Sequence, residues 1–350
     1  MNGVADYIDL ISGRKRGLAA ALKRAALLAA SWSYGTWMVG RNALFDRGWR
    51  RCHSAAVPVI SVGNLTVGGT GKTPCVEYVA RFYRQRYLQV AILSRGYGSD
   101  SGPNDEALLL EENLPDVPHL QGADRVALAA TAVEELDSEL LVLDDGFQHR
   151  RLTRTLDLVL IDATRPWGFG HLLPRGLLRE SPGSLRRAGA VLLTRCDGVS
   201  VSELAKLRSG VARFAPAVPI VESIHKPLAW VNADGQERPV ESLRGQSVLA
   251  FCGIGNPESF RRTLGQIGIA VTDFRAFPDH HAYRRADVEG LERWAEAAAA
   301  GAVVLTTQKD LVKLRITQLA GHELWALRIG LFVTKGETEL HDLLARAVHG

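Results

Sequence analysis

The stretch SVGNLTVGGTGKTP, residues 61–74, sets a lysine and a threonine directly after three closely spaced glycines. That combination suits phosphate chemistry. Glycines let successive backbone N–H groups turn toward an anion, a lysine reaches the outer phosphates, and a hydroxyl ligates Mg²⁺. The pattern G-x-x-x-x-G-K-[ST] is met at Gly71, Lys72 and Thr73 but has Thr66 where its first glycine should stand. The substitution alters only the mouth of the loop, because Gly68, Gly69 and Gly71 keep the backbone free. Thr66, Val67, Gly68, Gly69, Thr70, Gly71, Lys72 and Thr73 are therefore the candidate nucleotide-binding segment. A second group lies downstream in LLVLDDG, residues 140–146, an apolar run ending in Asp144 and Asp145. Carboxylates at the carboxyl end of a buried strand beside a phosphate loop are where a Mg²⁺–nucleotide needs a ligand.

These groups need a scaffold, and the surrounding pattern supplies one. VPVISVGN, residues 57–64, reads as a strand, and after the loop the apolar spacing of Val76, Val79, Ala80 and Tyr83 reads as a helix. Further continuous apolar runs, VAILS, LLVLDDG, LDLVLIDA and AVLLTRCD, alternate with helical stretches. This predicts an α/β domain of the P-loop type, a parallel sheet covered on both faces. AVLLTRCD ends in T-R-x-D, but Arg195 replaces the lysine of the guanine-reading N/T-K-x-D, which disfavours guanine.

The chain has 350 residues, 46% of them apolar, enough for two hydrophobic cores. The expected division is an N-terminal segment over 1–51, a P-loop domain over 52–217, a β-ribbon hinge over 218–240 and a smaller α/β domain over 241–350. The ribbon is predicted to turn at Asn232-Ala233-Asp234-Gly235. In the last domain FCGIGNPESF reads as strand, turn and helix start, and AVVLTTQKDLVKL repeats the pattern. The lone G-x-G there lacks a third glycine and gives no nucleotide site.

Net charge is +4, yet residues 1–51 carry nine Lys/Arg against three Asp, which leaves the remainder at −2. No nucleic-acid partner is implied. The basic residues flank an Ala-rich apolar run, residues 25–40, with Trp32, Tyr34 and Trp37 near one end. It is short for a bilayer span, which takes about 20 apolar residues, and suits a helix lying among anionic headgroups. The alternative is a helix packed on the protein's own core. Four scattered cysteines without metal-ligand spacing suit a reducing compartment, and no run reads as a secretory signal.

The motifs SVGNLTVGGTGKTP, LSRGYG, NDEALLL, DDGFQHRRL, LLPRGLLRE, FCGIGNPESF, FPDHHAY and TTQKDLVKL, in this order, closely resemble the tetraacyldisaccharide 4′-kinase family, the lipid A 4′-kinases. The resemblance runs from about residue 18 to 332. It implies transfer of the ATP γ-phosphate to the 4′-hydroxyl of a tetraacylated glucosamine disaccharide 1-phosphate, at the cytoplasmic face of the bacterial inner membrane, with no obligate protein partner. The family's loop carries threonine at the position of Thr66. Lys72 and Thr73 match its phosphate and Mg²⁺ contacts, and Asp144 and Asp145 its acidic strand end. Asp105 matches the carboxylate that takes the hydroxyl proton, and His280 the histidine supporting it, with Glu106 and His281 as the neighbouring alternatives. Arg175 and Arg179 of LPRGLLRE are candidate substrate-phosphate contacts or surface charges. With Asp105 and His280 in different expected domains, the pair would form only on domain closure. Rival readings are a P-loop nucleotide switch or metallochaperone, and an ATP-binding membrane adaptor, neither of which transfers phosphate to lipid.

Overall fold

The computed structural model describes residues 3–96, 105–299 and 301–349. The chain opens with helices α1 (Gly3–Ile11) and α2 (Leu18–Asp46), then strand β1 (Val59–Asn64) leads through the glycine loop into α3 (Lys72–Arg84). Next come β2 (Val90–Ser94), α4 (Asp105–Asn113), β3 (His119–Gln121), α5 (Arg125–Glu134), β4 (Leu140–Asp144), β5 (Leu156–Asp162), β6 (Ala190–Thr194) and α6 (Val201–Phe214). The long β7 (Ile220–Val231) turns into β8 (Glu237–Arg238), followed by β9 (Val248–Cys252), α7 (Pro257–Gln266), β10 (Val271–Ala276), α8 (Arg285–Ala295), β11 (Val303–Thr307) and α9 (Gln308–Leu314). Short β12 (Gln318–Leu319), long β13 (His322–Lys335) and α10 (Glu337–His349) close the chain.

Two compact units emerge, and they interleave in sequence. Unit 1 comprises residues 1–96, 116–225 and 331–350; unit 2 comprises 97–115 and 226–330. The linear division expected from sequence assigns residue 105 to the P-loop stretch, whereas the compact grouping places it with 226–330.

In unit 1 the strands run in the order β7, β6, β5, β1, β4, β2, β3, all parallel. The five runs read as buried strands are buried along their whole length, as a parallel sheet covered on both faces requires. The order reverses at β1, between β4 and β5, which opens a crevice beyond their carboxyl ends. Helix α3 presents Val76, Val79, Ala80 and Tyr83, all fully buried. Each such valine contributes about 1.5–3 kcal/mol of burial. The Tyr83 hydroxyl donates to the Leu344 carbonyl at 2.8 Å and Tyr78 meets His341 at 2.7 Å, so the C-terminal helix braces the helix that follows the loop.

Unit 2 orders its strands β10, β9, β11, β13 in parallel. One face buries Trp230, Phe260, Leu264 and Trp325, the other Phe251, Leu291, Trp294 and Leu311. Strands β7 and β8 pair antiparallel about a turn at 232–236, where the Asn232 side chain accepts from the Asp234 and Gln236 N–H groups. The short polar side chain holds the turn that the sequence places there. Asn256 caps α7, accepting from Ser259 N at 3.2 Å with Pro257 in the first turn, as expected.

Candidate active site

The glycine loop is shaped as the sequence demands, and it explains its own irregularity. Gly68 and Gly71 adopt φ of 117° and 88°, a region that side chains rarely enter. Thr66 instead bridges to Leu178 as an extended residue, and Val67 N donates to the Leu177 carbonyl at 2.8 Å. A residue in a β-bridge has no need of glycine's freedom, so the pattern's first glycine is dispensable here. Three side chains hold the loop from outside. Asn64 donates to the Thr70 hydroxyl at 2.7 Å, Thr194 donates to the Thr70 carbonyl at 2.8 Å, and Arg195 donates to the Gly69 carbonyl at 2.8 Å. In a trans peptide the carbonyl and the following N–H point opposite ways. Anchoring the Thr70 carbonyl therefore turns the Gly71 N–H the other way. Gly71 brings no side-chain cap to α3, which leaves the first-turn donors to a phosphate.

The acidic strand end is pressed against this loop. A Cβ on Gly63 would stand 2.6 Å from Phe147 Cβ and 2.7 Å from its backbone N, so only glycine lets β1 pass beneath the turn after Asp144 and Asp145. Asp144 ends β4 opposite Val62 and is buried, while Asp145 follows it with φ of 52°. Asp145 receives Arg179 through two hydrogen bonds of 2.7 and 2.8 Å, and Lys72 Nζ lies 3.7 Å from it. Burial pulls this carboxyl upward, but the Arg179 hydrogen bonds and the charges of Lys72, Arg179 and Arg125 hold it far below the usual carboxylate range. Arg179 also bonds the Asn64 side chain. Thr73 is buried in the first turn of α3.

Arg179 thus belongs to the loop's own wall. Arg175 does not: its guanidinium donates to the Ile11 carbonyl at 2.8 Å and its N–H to Ser31 Oγ at 2.9 Å, tying α1 and α2 down.

Asp105 and His280 meet inside unit 2. His280 Nδ1 lies 2.9 Å from both Asp105 oxygens, so the pair is already formed within one unit and needs no closure between domains. His280 is held with φ of 56° in the loop after β10. Burial raises the Asp105 pKa, but the His280 hydrogen bond and the charges of Lys309, His280 and Lys313 outweigh it, and the net direction is down. The same hydrogen bond raises His280 against the opposing effect of burial. Each partner favours the other's charged form, so Asp105 is an anion at neutral pH. The neighbours that sequence left as alternatives are engaged elsewhere. Glu106 takes Lys309 at 2.8 Å; His281 stacks on Phe277 and reaches Asp287 at 3.2 Å. The segment 97–104, which includes the Gly102-Pro103-Asn104 sequence before Asp105, lies outside the described residues.

Sequence reasoning noted Arg195 only for its place in T-R-x-D, and passed over Asn64 and Thr194, which hold the loop with it, and Lys309, Asp310 and Lys313 near Asp105. For Asn64 and Thr194 a signal existed. Asn64 stands at the carboxyl end of the loop's own strand and Thr194 at that of the strand two places away, where the sheet aims side chains at the crevice.

Helix α2 supplies an outward feature. Its Ser31, Met38 and Phe45 are buried, and the Tyr34 hydroxyl donates to the Arg179 carbonyl at 2.9 Å. Leu18, Leu22, Trp32 and Val39 are exposed and fall within about 100° of arc on the other side. Among the described residues no helix is long and apolar enough to cross a membrane, and no cluster of three His, Cys, Asp or Glu could hold a metal by itself.

Comparison with known proteins places these features in context. The family model described as tetraacyldisaccharide-1-P 4′-kinase matches residues 23–349. A tetraacyldisaccharide 4′-kinase of Anaeromyxobacter dehalogenans is 43% identical over 360 residues, covering 97% of this chain and 94% of the relative. One from Syntrophus aciditrophicus is 40% identical, covering 80% and 82%. The crystal structure of LpxK from Aquifex aeolicus in complex with ATP superposes with a TM-score of 0.75 at 33% identity, covering 93% of this chain and 99% of that one.

Proposed function

The chain belongs to the tetraacyldisaccharide-1-P 4′-kinase family, and from that membership we propose how its residues divide the work of phosphoryl transfer. The protein is an ATP-dependent kinase that moves the γ-phosphate to the 4′-hydroxyl of a tetraacylated glucosamine disaccharide 1-phosphate, a step of lipid A synthesis.

Such a transfer passes through a loose transition state in which positioning and charge neutralisation carry most of the catalysis. Lys72 and the loop N–H groups bind and neutralise the phosphates. Arg179, oriented by two bonds to Asp145, is a second cation at the same loop and the better candidate of the two arginines for a phosphate contact. Arg175 keeps its assignment to substrate only if its bond to the Ile11 carbonyl is exchanged for one to a phosphate. Thr73 and Asp144, with Asp145 beside them, form the hard oxygen set that suits Mg²⁺, which when bound would screen the phosphate charge. Both Asp145 oxygens are already shared with Arg179, so Asp144 carries the larger part of that role.

Asp105 accepts the proton of the sugar hydroxyl, and His280 keeps the carboxylate ionised and takes up the charge change when the proton arrives. The observation that carries the reading is this buried carboxylate, paired at 2.9 Å with an imidazole that is itself half exposed. A nucleotide switch or an ATP-binding adaptor has no acceptor hydroxyl to deprotonate. The exposed apolar stripe of α2, flanked by basic residues, docks the enzyme on the anionic cytoplasmic face of the inner membrane, where the lipid substrate resides.

The test is transfer from γ-labelled ATP to the purified tetraacyldisaccharide 1-phosphate, with the product's phosphate position assigned by NMR. Label at the 4′-position supports the reading; ATP hydrolysis without labelled lipid defeats it.

A further inference from the structure

The motif TTQKDLVKL enters unit 2 as the end of β11 and helix α9, and its charged residues do more than solvate a surface. Asp310 is fully buried, and its carboxylate accepts from Gly253 N at 3.0 Å, from the Tyr283 hydroxyl at 3.0 Å and from the Thr307 hydroxyl at 2.6 Å. Tyr283 and Gly253 both border the loop that carries His280: a Cβ on Gly253 would meet Asp310 at 3.0 Å, His281 Cβ and the Tyr283 hydroxyl at 3.2 Å. One turn on, Lys313 brings its ammonium 3.3 Å from Asp310 Oδ1 and 3.7 Å from Asp105 Oδ2. That ammonium is out of contact with solvent, forms no hydrogen bond among the described residues, and stands 5.3 Å over the Tyr283 ring. It therefore lies between two buried carboxylates. One is locked by three donors, and the other is the carboxylate paired with His280.

We propose that Lys313, seated on Asp310, is a positioning residue for the reaction: it holds the Asp105 carboxylate ionised and turned to His280. This rests on the reading of Asp105 as the proton acceptor. Asp310 fixes both ends of the arrangement, the His280 loop through Tyr283 and Gly253, and Asp105 through Lys313. Two further cationic groups act on Asp105, and each is also engaged elsewhere. Lys309 is committed to Glu106 at 2.8 Å, and His280 carries on its far nitrogen the attraction of Asp279 at 3.9 Å. A neutral residue at 313 removes a cation within 4 Å of a buried carboxylate, a distance at which an opposite charge lowers a carboxyl pKa by about 1–3 units.

The experiment compares Lys313→Met, Lys313→Arg and the double variant Asp310→Asn/Lys313→Met for kcat across pH, with NMR titration of the His280 imidazole in each. The double variant is included because Lys313→Met strands a buried anion and can unfold the unit. The proposal expects the acid limb of kcat to move up by about 1–3 units in Lys313→Met, and in the same direction but less in the double variant. Lys313→Arg, which keeps the charge, should hold the limb within about half a unit of wild type. A loss of kcat that is uniform across pH in a folded variant means a merely structural lysine and overturns the proposal. The His280 titration separates this from the acceptor reading. Losing the ammonium should raise the imidazole pKa in Lys313→Met even if Asp105→Asn shows that another group accepts the proton; an unchanged His280 titration overturns the proposal whatever the kinetics.

Discussion

His225 gives a quantitative prediction about the loop's foundation. Its ring stands beneath Gly71, where a Cβ would lie 2.5 Å from Nε2 and 2.6 Å from Cε1, and Nε2 has no hydrogen-bond partner among the described residues. Burial, then the charge of Arg195, lower its pKa from 6.5 to about 3, against the smaller opposing pull of Asp162. The folded-state value is depressed, so the unfolded chain takes the proton first as pH falls. The neutral ring's contribution is complete above 6.5 and is lost between 6.5 and about 3. At pH 5 the unfolded imidazole has gained about 1.5 pK units of protonation free energy, so full burial would cost the protein about 2 kcal/mol relative to neutral pH. The residue keeps some exposure, and the expected loss is about 1–2 kcal/mol. Urea unfolding of wild type and His225→Leu at pH 7.5 and pH 5 isolates this. Titrations shared by both proteins, including that of His149, whose pKa burial and neighbouring arginines push down to about 4, cancel in the comparison. Wild type should lose about 1–2 kcal/mol more than the variant on acidification. Equal losses, within about 0.3 kcal/mol, refute the claim that a neutral imidazole underlies the loop.

Lys72→Ala should abolish lipid phosphorylation while circular dichroism and thermal unfolding stay close to wild type, because the side chain contributes charge at the loop and little to the core. Asp144→Asn should need severalfold more Mg²⁺ for half-maximal rate, and Asp145→Asn should add a loss of stability as Arg179 loses its anchor; unchanged Mg²⁺ titrations of both would take them out of the metal's reach. Replacing Trp32 and Trp37 with serine should weaken sedimentation with anionic vesicles without unfolding unit 1, since both are exposed, and wild-type binding should fade in high salt. Salt-insensitive binding that survives both substitutions would contradict docking through α2.

Much of unit 1 was legible because a parallel sheet covered on both faces demands continuous apolar strands, and β1, β2, β4, β5 and β6 are written that way. β10 was missed for the opposite reason: VTDFRA is half exposed and carries charge, so neither an apolar run nor a clean alternation marks it. The interleaving of the units was hidden as well. Residues 97–115 and 331–350 belong with partners more than a hundred positions away, and local pattern holds no record of such pairing. In the site, the loop and the two strand-end aspartates announced themselves by spacing. Lys313 and Asp310 did not, because K-D-x-x-K on a helix is the ordinary pattern of a solvated face, and only the packing of α9 near α4 buries it against Asp105. Likewise the choice between Asp105 and Glu106 needed coordinates: adjacent carboxylates at a helix start differ only in the direction each takes from the helix.

The central claim is that Asp105 and His280 work as one unit in proton acceptance, and a double-mutant cycle on kcat tests it most directly. Asp105→Asn and His280→Ala should each lower kcat by about 10²–10⁴, with ATP affinity little changed, and the double variant should be no worse than the poorer single one. Glu106→Gln and His281→Ala, whose side chains are engaged by Lys309 and Asp287, serve as neighbouring controls and should keep most of the activity. Additive losses in the cycle, or near-normal rates in both the Asp105 and His280 variants, would contradict the account.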